Sequence, residues 1–263
     1  MTEMPTQFGE LLRVWRGRRR YSQLALALDT EISQRHLSFI ESGRSKPSRE
    51  MVLRLAEQLA LEPRGRNELL LAAGFAPVHP ERAFDAPDFA AAREAIALLL
   101  RCHMPNPALA VDRHWNLLMG NQAAHAFLAG CAEHLIAPPI NVLRLSLHPE
   151  GLAGRILNLP EWRAHVLARL SRDVEISADA QLAELLTELE SYPVPRHHGR
   201  TAPAIDDGSL VVPLRLDSPA GPLSFISTTT LFGTAVDVTL SEVTIETFLP
   251  ADAETARILT DLA

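Results

Sequence analysis

The stretch Ser33–Ser48, SQRHLSFIESGRSKPS, has helix start and stop signals at its ends and an unusual surface between them. Ser33 is a good N-cap, because its hydroxyl accepts from a free amide of the first helical turn. Gly43 is a good residue to end on, since glycine takes a left-handed conformation without a Cβ penalty. A short helix is left between them. At helical spacing Leu37 and Ile40 fall on one side, with Ser33 and Glu41 flanking them. The opposite side carries Arg35, Ser38, Phe39 and Ser42, with Gln34 at its edge. A free-standing amphipathic helix sends plain charged and polar residues outward. This one sends out a set able to read base edges.

Its neighbours are helices too. FGELLRVWRGRR aligns Phe8, Leu11, Leu12 and Trp15 as one apolar stripe. A second helix opens at Ser22 and runs through QLALALD. A fourth starts at Ser48, after Pro47, and stacks Val52, Leu55, Ala56 and Leu59; a fifth, RNELLLAAG, stops at Gly74 with Pro77 beyond. The second and third are separated by TEI, the spacing of a helix-turn-helix, whose second helix lies in the major groove. In that position Arg35 pairs bidentately with guanine and Gln34 with adenine. Phe39 packs either on a thymine methyl or against a neighbouring helix.

YSQLALALDTEISQRHLSFIESGRSKPS resembles the helix-turn-helix of the XRE family, the group of the phage Cro and repressor proteins, over residues 8–75. The resemblance implies an all-α, lambda-repressor-like five-helix head. It places Gln23 at a DNA phosphate and Ala27 where two helices approach closely. It also pairs Arg16 of the first helix with Glu41 at the end of the recognition helix, and puts Arg44 and Lys46 on the DNA backbone. With Ser33, Gln34, Arg35, Ser38 and Phe39 they make up the expected DNA-facing set. One residue departs from the family: Glu31 stands where glycine is usual, which predicts a non-glycine residue at positive φ.

Charge agrees with this division. Residues 1–80 hold 12 Arg+Lys against 9 Asp+Glu, a net of +3, whereas residues 81–263 hold 13 against 23, a net of −10. A mildly basic head on an acidic body fits a DNA-binding head with a body repelled from phosphate. Hydrophobic residues are 47% and charged residues 22%, the composition of a globular protein. No apolar run reaches membrane-spanning length, and the N-terminus has no basic-then-apolar leader, so the expected location is the cytoplasm, at the nucleoid. The two cysteines, Cys102 and Cys131, have no CxxC spacing and read as two buried thiols in a reducing compartment.

Three prolines in APVHPERAFDAPD mark a linker, and beyond it the periodicity changes. NPALAVDRHWNLLMGNQAAHAFL reads as two short strands around a turn, followed by a helix capped by Asn121. Residues 140–192 read as helical. GSLVVPLRLD, GPLSFISTTTLFG and EVTIETFLP read as strands, and ADAETARILTDL as a closing helix. The expected division is a DNA-binding head over 1–78, a linker over 79–92 and an α+β domain for ligand binding or dimerisation over 93–263.

ALAVDRHWNLLMGNQAAHAFLAG resembles the opening of a PAS-type sensor domain. Together RHLSFIESGRSKPS, NELLLAAGFAP and NLLMGNQAA resemble regulators with an MmyB-like ligand-binding domain, over nearly the whole chain. That resemblance implies a PAS-like cavity for a fatty acid or similar apolar molecule, coupled to the head. Trp115, Met119, Phe127, Leu143, Trp162 and Phe225 are candidates to line it or simply to fill the core. A ligand carboxylate needs a donor, offered by Arg144 and His148 or by Arg196, His197, His198 and Arg200. CAEH and RCH each supply half a metal site without a second half, so no metal is expected. Asp206 and Asp207 have no nucleophile or base beside them, and no catalytic motif is present, so no enzyme is expected. The expected partners are a palindromic operator, an apolar ligand and a second copy of the chain. The alternatives are a C-terminal domain that only dimerises or docks a protein, and a metal or haem sensor.

Overall fold

The computed structural model describes residues 7–177, 179–193, 211–233 and 235–262. The chain forms two compact units. One contains the described residues up to Ala83 together with 235–241; the other contains Phe84–Gly233 and the residues from Glu242 onward.

In the first unit five helices surround one core: α1 (Gln7–Arg18), α2 (Gln23–Asp29), α3 (Gln34–Glu41), α4 (Arg49–Gln58) and α5 (Pro63–Ala72). Phe8, Leu12 and Trp15 of α1 pack with Leu26, Leu37, Ile40, Val52, Leu55 and Leu69, all buried. The serines read as caps act as caps. Ser22, Ser33 and Ser48 accept from the backbone amides of Ala25, His36 and Met51, at 3.0, 3.1 and 3.2 Å. Gly43 and Gly74 end α3 and α5 at φ 78° and 84°. The departure from glycine also appears, since Glu31 sits at φ 56°.

The stretch read as a linker divides between the units. Asn67 binds the backbone of Val78 and His79 and holds the chain leaving α5 against it. Here 235–241 joins the head unit. Val238 N–H donates to Pro80 O (2.8 Å), Arg82 pairs with the buried carboxylate of Asp237 (3.0 Å), and Thr239 donates to Arg82 O (2.6 Å). A one-turn helix, here numbered α12 (Val238–Ser241), buries Val238 completely.

The second unit begins at α6 (Ala90–Cys102) and is built on an antiparallel sheet in the order β2-β1-β5-β4-β3. The strands are β1 (Ala108–Val111), β2 (Leu117–Gly120), β3 (Leu214–Leu216), β4 (Leu223–Leu231) and β5 (Thr244–Pro250). Between β2 and β3 lie α7 (Gln122–His125), α8 (Glu133–Ile136), α9 (Val142–Leu147), α10 (Leu159–Ser177) and α11 (Ala180–Ser191), and α13 (Ala253–Leu262) closes the chain. This is the α+β, PAS-like architecture expected from the sequence. Asn121 is its main polar fixture: Oδ1 accepts from Ala108 and Ala124, while Nδ2 donates to Leu100 O and Asn106 O. All four of its hydrogen-bonding positions are used, which lets a buried amide stabilise the start of the sheet.

The cysteines correct the sequence reading. Both are free thiols, but Cys102 is exposed, because it lies on the outer side of the last turn of α6, and Cys131 is half-buried. No helix among the described residues is long and apolar enough to cross a membrane.

Candidate functional site

The recognition surface starts from how closely α3 approaches α1. A Cβ on Gly9 would lie 2.4 Å from the carbonyl oxygen of Glu41, so only glycine allows this packing. Glu41 is 1% exposed and fully engaged. Arg16 Nε and Nη2 donate to its two carboxylate oxygens at 2.6 and 3.1 Å, and Arg16 Nη1 donates to Tyr21 O at 2.9 Å. Gln23, which the family resemblance places at a phosphate, donates from Nε2 to Glu41 Oε2 at 2.7 Å. One of the two amide N–H groups of Gln23 is therefore used inside the head.

With Leu37, Ile40 and Glu41 buried, Gln34, Arg35, Arg44 and Lys46 are exposed, and Ser38 and Phe39 are half-buried. Ser33 is exposed, with its hydroxyl oxygen accepting from His36. Phe39 lies between two cations: the guanidinium carbons of Arg35 and Arg44 are 5.3 and 5.8 Å from its ring centroid. Both distances are within cation–π range, so the ring aligns the cations as well as presenting an apolar face.

The second unit holds a largely apolar, partly open cavity of about 90 Å³ between the sheet and α7, α9 and α10. Four of the eight residues proposed from sequence line it: Trp115, Phe127, Leu143 and Trp162. Of the other four, Phe225 takes the core-filling role left open to it, and the placement of Met119, Arg144 and His148 is corrected. Phe225 is fully buried and packs edge-on behind Phe127, at 5.9 Å between ring centroids. Met119 sits opposite Ala110 on the edge strand β2, outside the lining. Arg144 is held by Glu188 in a forked pair at 2.7–2.9 Å, and His148 packs edge-on against Tyr192 at 5.0 Å, so neither reaches the cavity. Arg196, His197, His198, Arg200, Asp206 and Asp207 lie outside the described residues.

The polar wall consists of residues not singled out from the sequence. Arg169 of α10 donates from Nη2 to Glu246 Oε1 (2.6 Å) and Thr229 Oγ1 (3.1 Å), and Thr229 donates to the same carboxylate oxygen (2.9 Å). The guanidinium carbon of Arg169 also lies 4.5 Å from the ring centroid of Trp115. Trp115 has φ 66°, a left-handed conformation that is costly for a bulky side chain. Asp112 holds this turn in shape, accepting from the amides of His114 and Asn116 at 2.8 Å each. His165 stacks on Trp162; burial, then Arg169 and Arg172, hold it below the ordinary imidazole range. It faces the cavity as a neutral ring.

One turn beyond Arg169, burial pushes the Asp173 carboxyl above the ordinary carboxylate range, with Arg169, Trp115 and Arg172 opposing the shift. A carboxyl whose pKa is raised by folding binds more protons folded than unfolded. Its contribution to stability therefore falls as pH rises from its ordinary value through the raised one. Asp173→Asn is expected to raise the melting temperature at pH 7 and to leave it nearly unchanged at acid pH. A variant less stable than the parent at pH 7 would show that the charged form is needed in place.

A helix-turn-helix on one unit and a largely apolar cavity in the other mark a DNA-binding transcription regulator with a ligand-binding domain. Residues 92–262 match the family model described as MmyB-like transcription regulator ligand binding domain, and residues 7–69 match a helix-turn-helix domain model. The chain belongs to the MmyB-like transcription regulator family. No curated protein matches it.

Proposed function

We propose that the chain is a cytoplasmic, nucleoid-associated homodimer that binds a palindromic operator and changes its DNA affinity when a fatty acid or similar lipid enters the cavity. The observation that carries the ligand reading is the polar wall that Arg169 and Glu246 give to a largely apolar cavity. Both side-chain bonds of Arg169 leave from Nη2, so among the described residues Nε and Nη1 make no side-chain hydrogen bond. They are the donors assigned to a ligand carboxylate. At about 90 Å³ the cavity is smaller than the roughly 150 Å³ that accommodates benzene in an engineered core. A long acyl chain therefore enters by moving the aromatic lining, and this movement is the proposed signal.

Native mass spectrometry of the purified protein, followed by organic extraction, tests this reading. Release of fatty acids, together with a shift in operator affinity on adding them back, is the expected result. A ligand-free protein whose melting temperature is unmoved by a series of fatty acids of increasing length would overturn it.

On the head, Arg35 is assigned to a base edge and Arg44 and Lys46 to phosphates, with dimer half-sites about one helical turn apart, roughly 34–36 Å. Arg35→Ala is expected to cost about 1–3 kcal/mol on the operator and to relax specificity at one position. Arg44→Ala is expected to weaken operator and random DNA alike and to lower the salt slope by about one. Equal weakening on all sequences by Arg35→Ala, or an unchanged salt slope with Arg44→Ala, would reverse these roles.

A further inference from the structure

We infer that His134, His148 and Glu150 form a binding site for a divalent transition-metal ion, outside both the recognition surface and the cavity. One nitrogen from each imidazole and one carboxylate oxygen lie within 4.8 Å of one another. The two rings stand edge to face with centroids 5.5 Å apart, and His134 Nε2 is 4.0 Å from Glu150 Oε2. Tetrahedral zinc with bonds of 2.0–2.1 Å needs ligand atoms roughly 3.4 Å apart, so His134 and Glu150 must close by about 0.6 Å and the widest pair by up to about 1.4 Å. The side chains of His134 and Glu150 are 59% and 66% exposed, which leaves them the rotamer freedom to do so. Two imidazoles and one carboxylate suit zinc, nickel or copper and not magnesium or calcium, and water completes the coordination.

The backbone beneath the three residues is held in place. Ala132 N–H donates to Glu150 O (2.9 Å), tying the start of α8 to the turn after α9, and Gly151 N–H donates to His148 O (2.9 Å). A Cβ on Gly151 would lie 2.2 Å from Leu145 O, so the turn closes only around glycine. His148 is backed by Tyr192, whose hydroxyl bonds Glu188, which in turn is gripped by Arg144. This places Arg144 behind the imidazole as a positioning residue. One reorganisation is required of His148. Its Nδ1 accepts from the Glu150 amide (3.1 Å), and metal binding exchanges that bond or turns the ring. Of the two half-sites in the sequence, CAEH and RCH, CAEH contributes His134, and the fold brings in His148 from fourteen residues further along.

The test is calorimetric titration of zinc into the full-length, chelator-stripped protein. The background carries His197→Ala and His198→Ala, so that the adjacent histidine pair does not contribute. One saturable equivalent per chain is expected, with affinity lowered at least about tenfold by His134→Ala, by His148→Ala and by Glu150→Gln. Unchanged melting temperatures of the His134→Ala and Glu150→Gln proteins without metal would assign the loss to coordination and not to misfolding. No saturable binding in this background, or unchanged affinity in His134→Ala or Glu150→Gln, would overturn the proposal. Displacement of zinc by millimolar magnesium would overturn the assigned metal class.

Discussion

Replacing Arg16 by alanine is expected to destabilise the head by about 3–5 kcal/mol, because the Glu41 carboxylate would stay buried without its main partner. Gln23 supplies one hydrogen bond and Arg13 approaches only to 3.9 Å with an exposed side chain, so neither replaces a forked guanidinium. Native-state hydrogen exchange of the core amides of α1–α5 measures the loss. Since Glu41 is 1% exposed, salt screens the pair weakly, and the loss should persist in high salt. A penalty below about 1 kcal/mol would place this pair with ordinary surface ion pairs. Arg16→Met with Glu41→Leu is expected to fold with near-parental stability, since replacing both charges removes the unpaired one.

Arg169→Ala is the counterpart in the second unit. Glu246 is 4% exposed, and without Arg169 its side chain keeps only the hydroxyl of Thr229. The expected loss is again about 3–5 kcal/mol. Arg169→Leu combined with Glu246→Leu separates stability from ligand recognition. The double variant should retain its fold and its uptake of a neutral apolar molecule while losing an acidic one. Equal binding of decanoic acid by the parent and the double variant would show that the carboxylate is held elsewhere.

The head was readable in the sequence because its information is local. Caps at Ser22, Ser33 and Ser48, glycine stops at Gly43 and Gly74, and apolar spacing within each helix fix the elements without long-range knowledge. Alternating strands and the Asn121 cap likewise announced the α+β unit. The polar wall was hidden because Arg169 and Glu246 lie 77 residues apart, and neither spacing nor composition pairs them. One local sign was present. Arg169 follows His165 at helical spacing beside the apolar stripe Trp162, Val166 and Leu170, which puts two polar residues at the margin of a buried face. Arg144 and His148 were reasonable donors by residue type, but Glu188 and Tyr192, from the far end of α11, claim them. Nor did AVDVTLS, residues 235–241 between two strands, carry any sign that it folds with the head.

That last segment bears on how such a chain evolves. The polypeptide passes from one unit to the other after Ala83, returns after Gly233 and leaves again after Ser241. Gene fusion at a single junction in the proline-rich stretch would give a recombinant head lacking α12 and the Asp237 carboxylate that engages Arg82. Heads and sensors joined in this way cannot be exchanged like beads on a string. A new pairing has to preserve the β4–β5 connection as well, so the two parts are expected to diverge together as one inherited module.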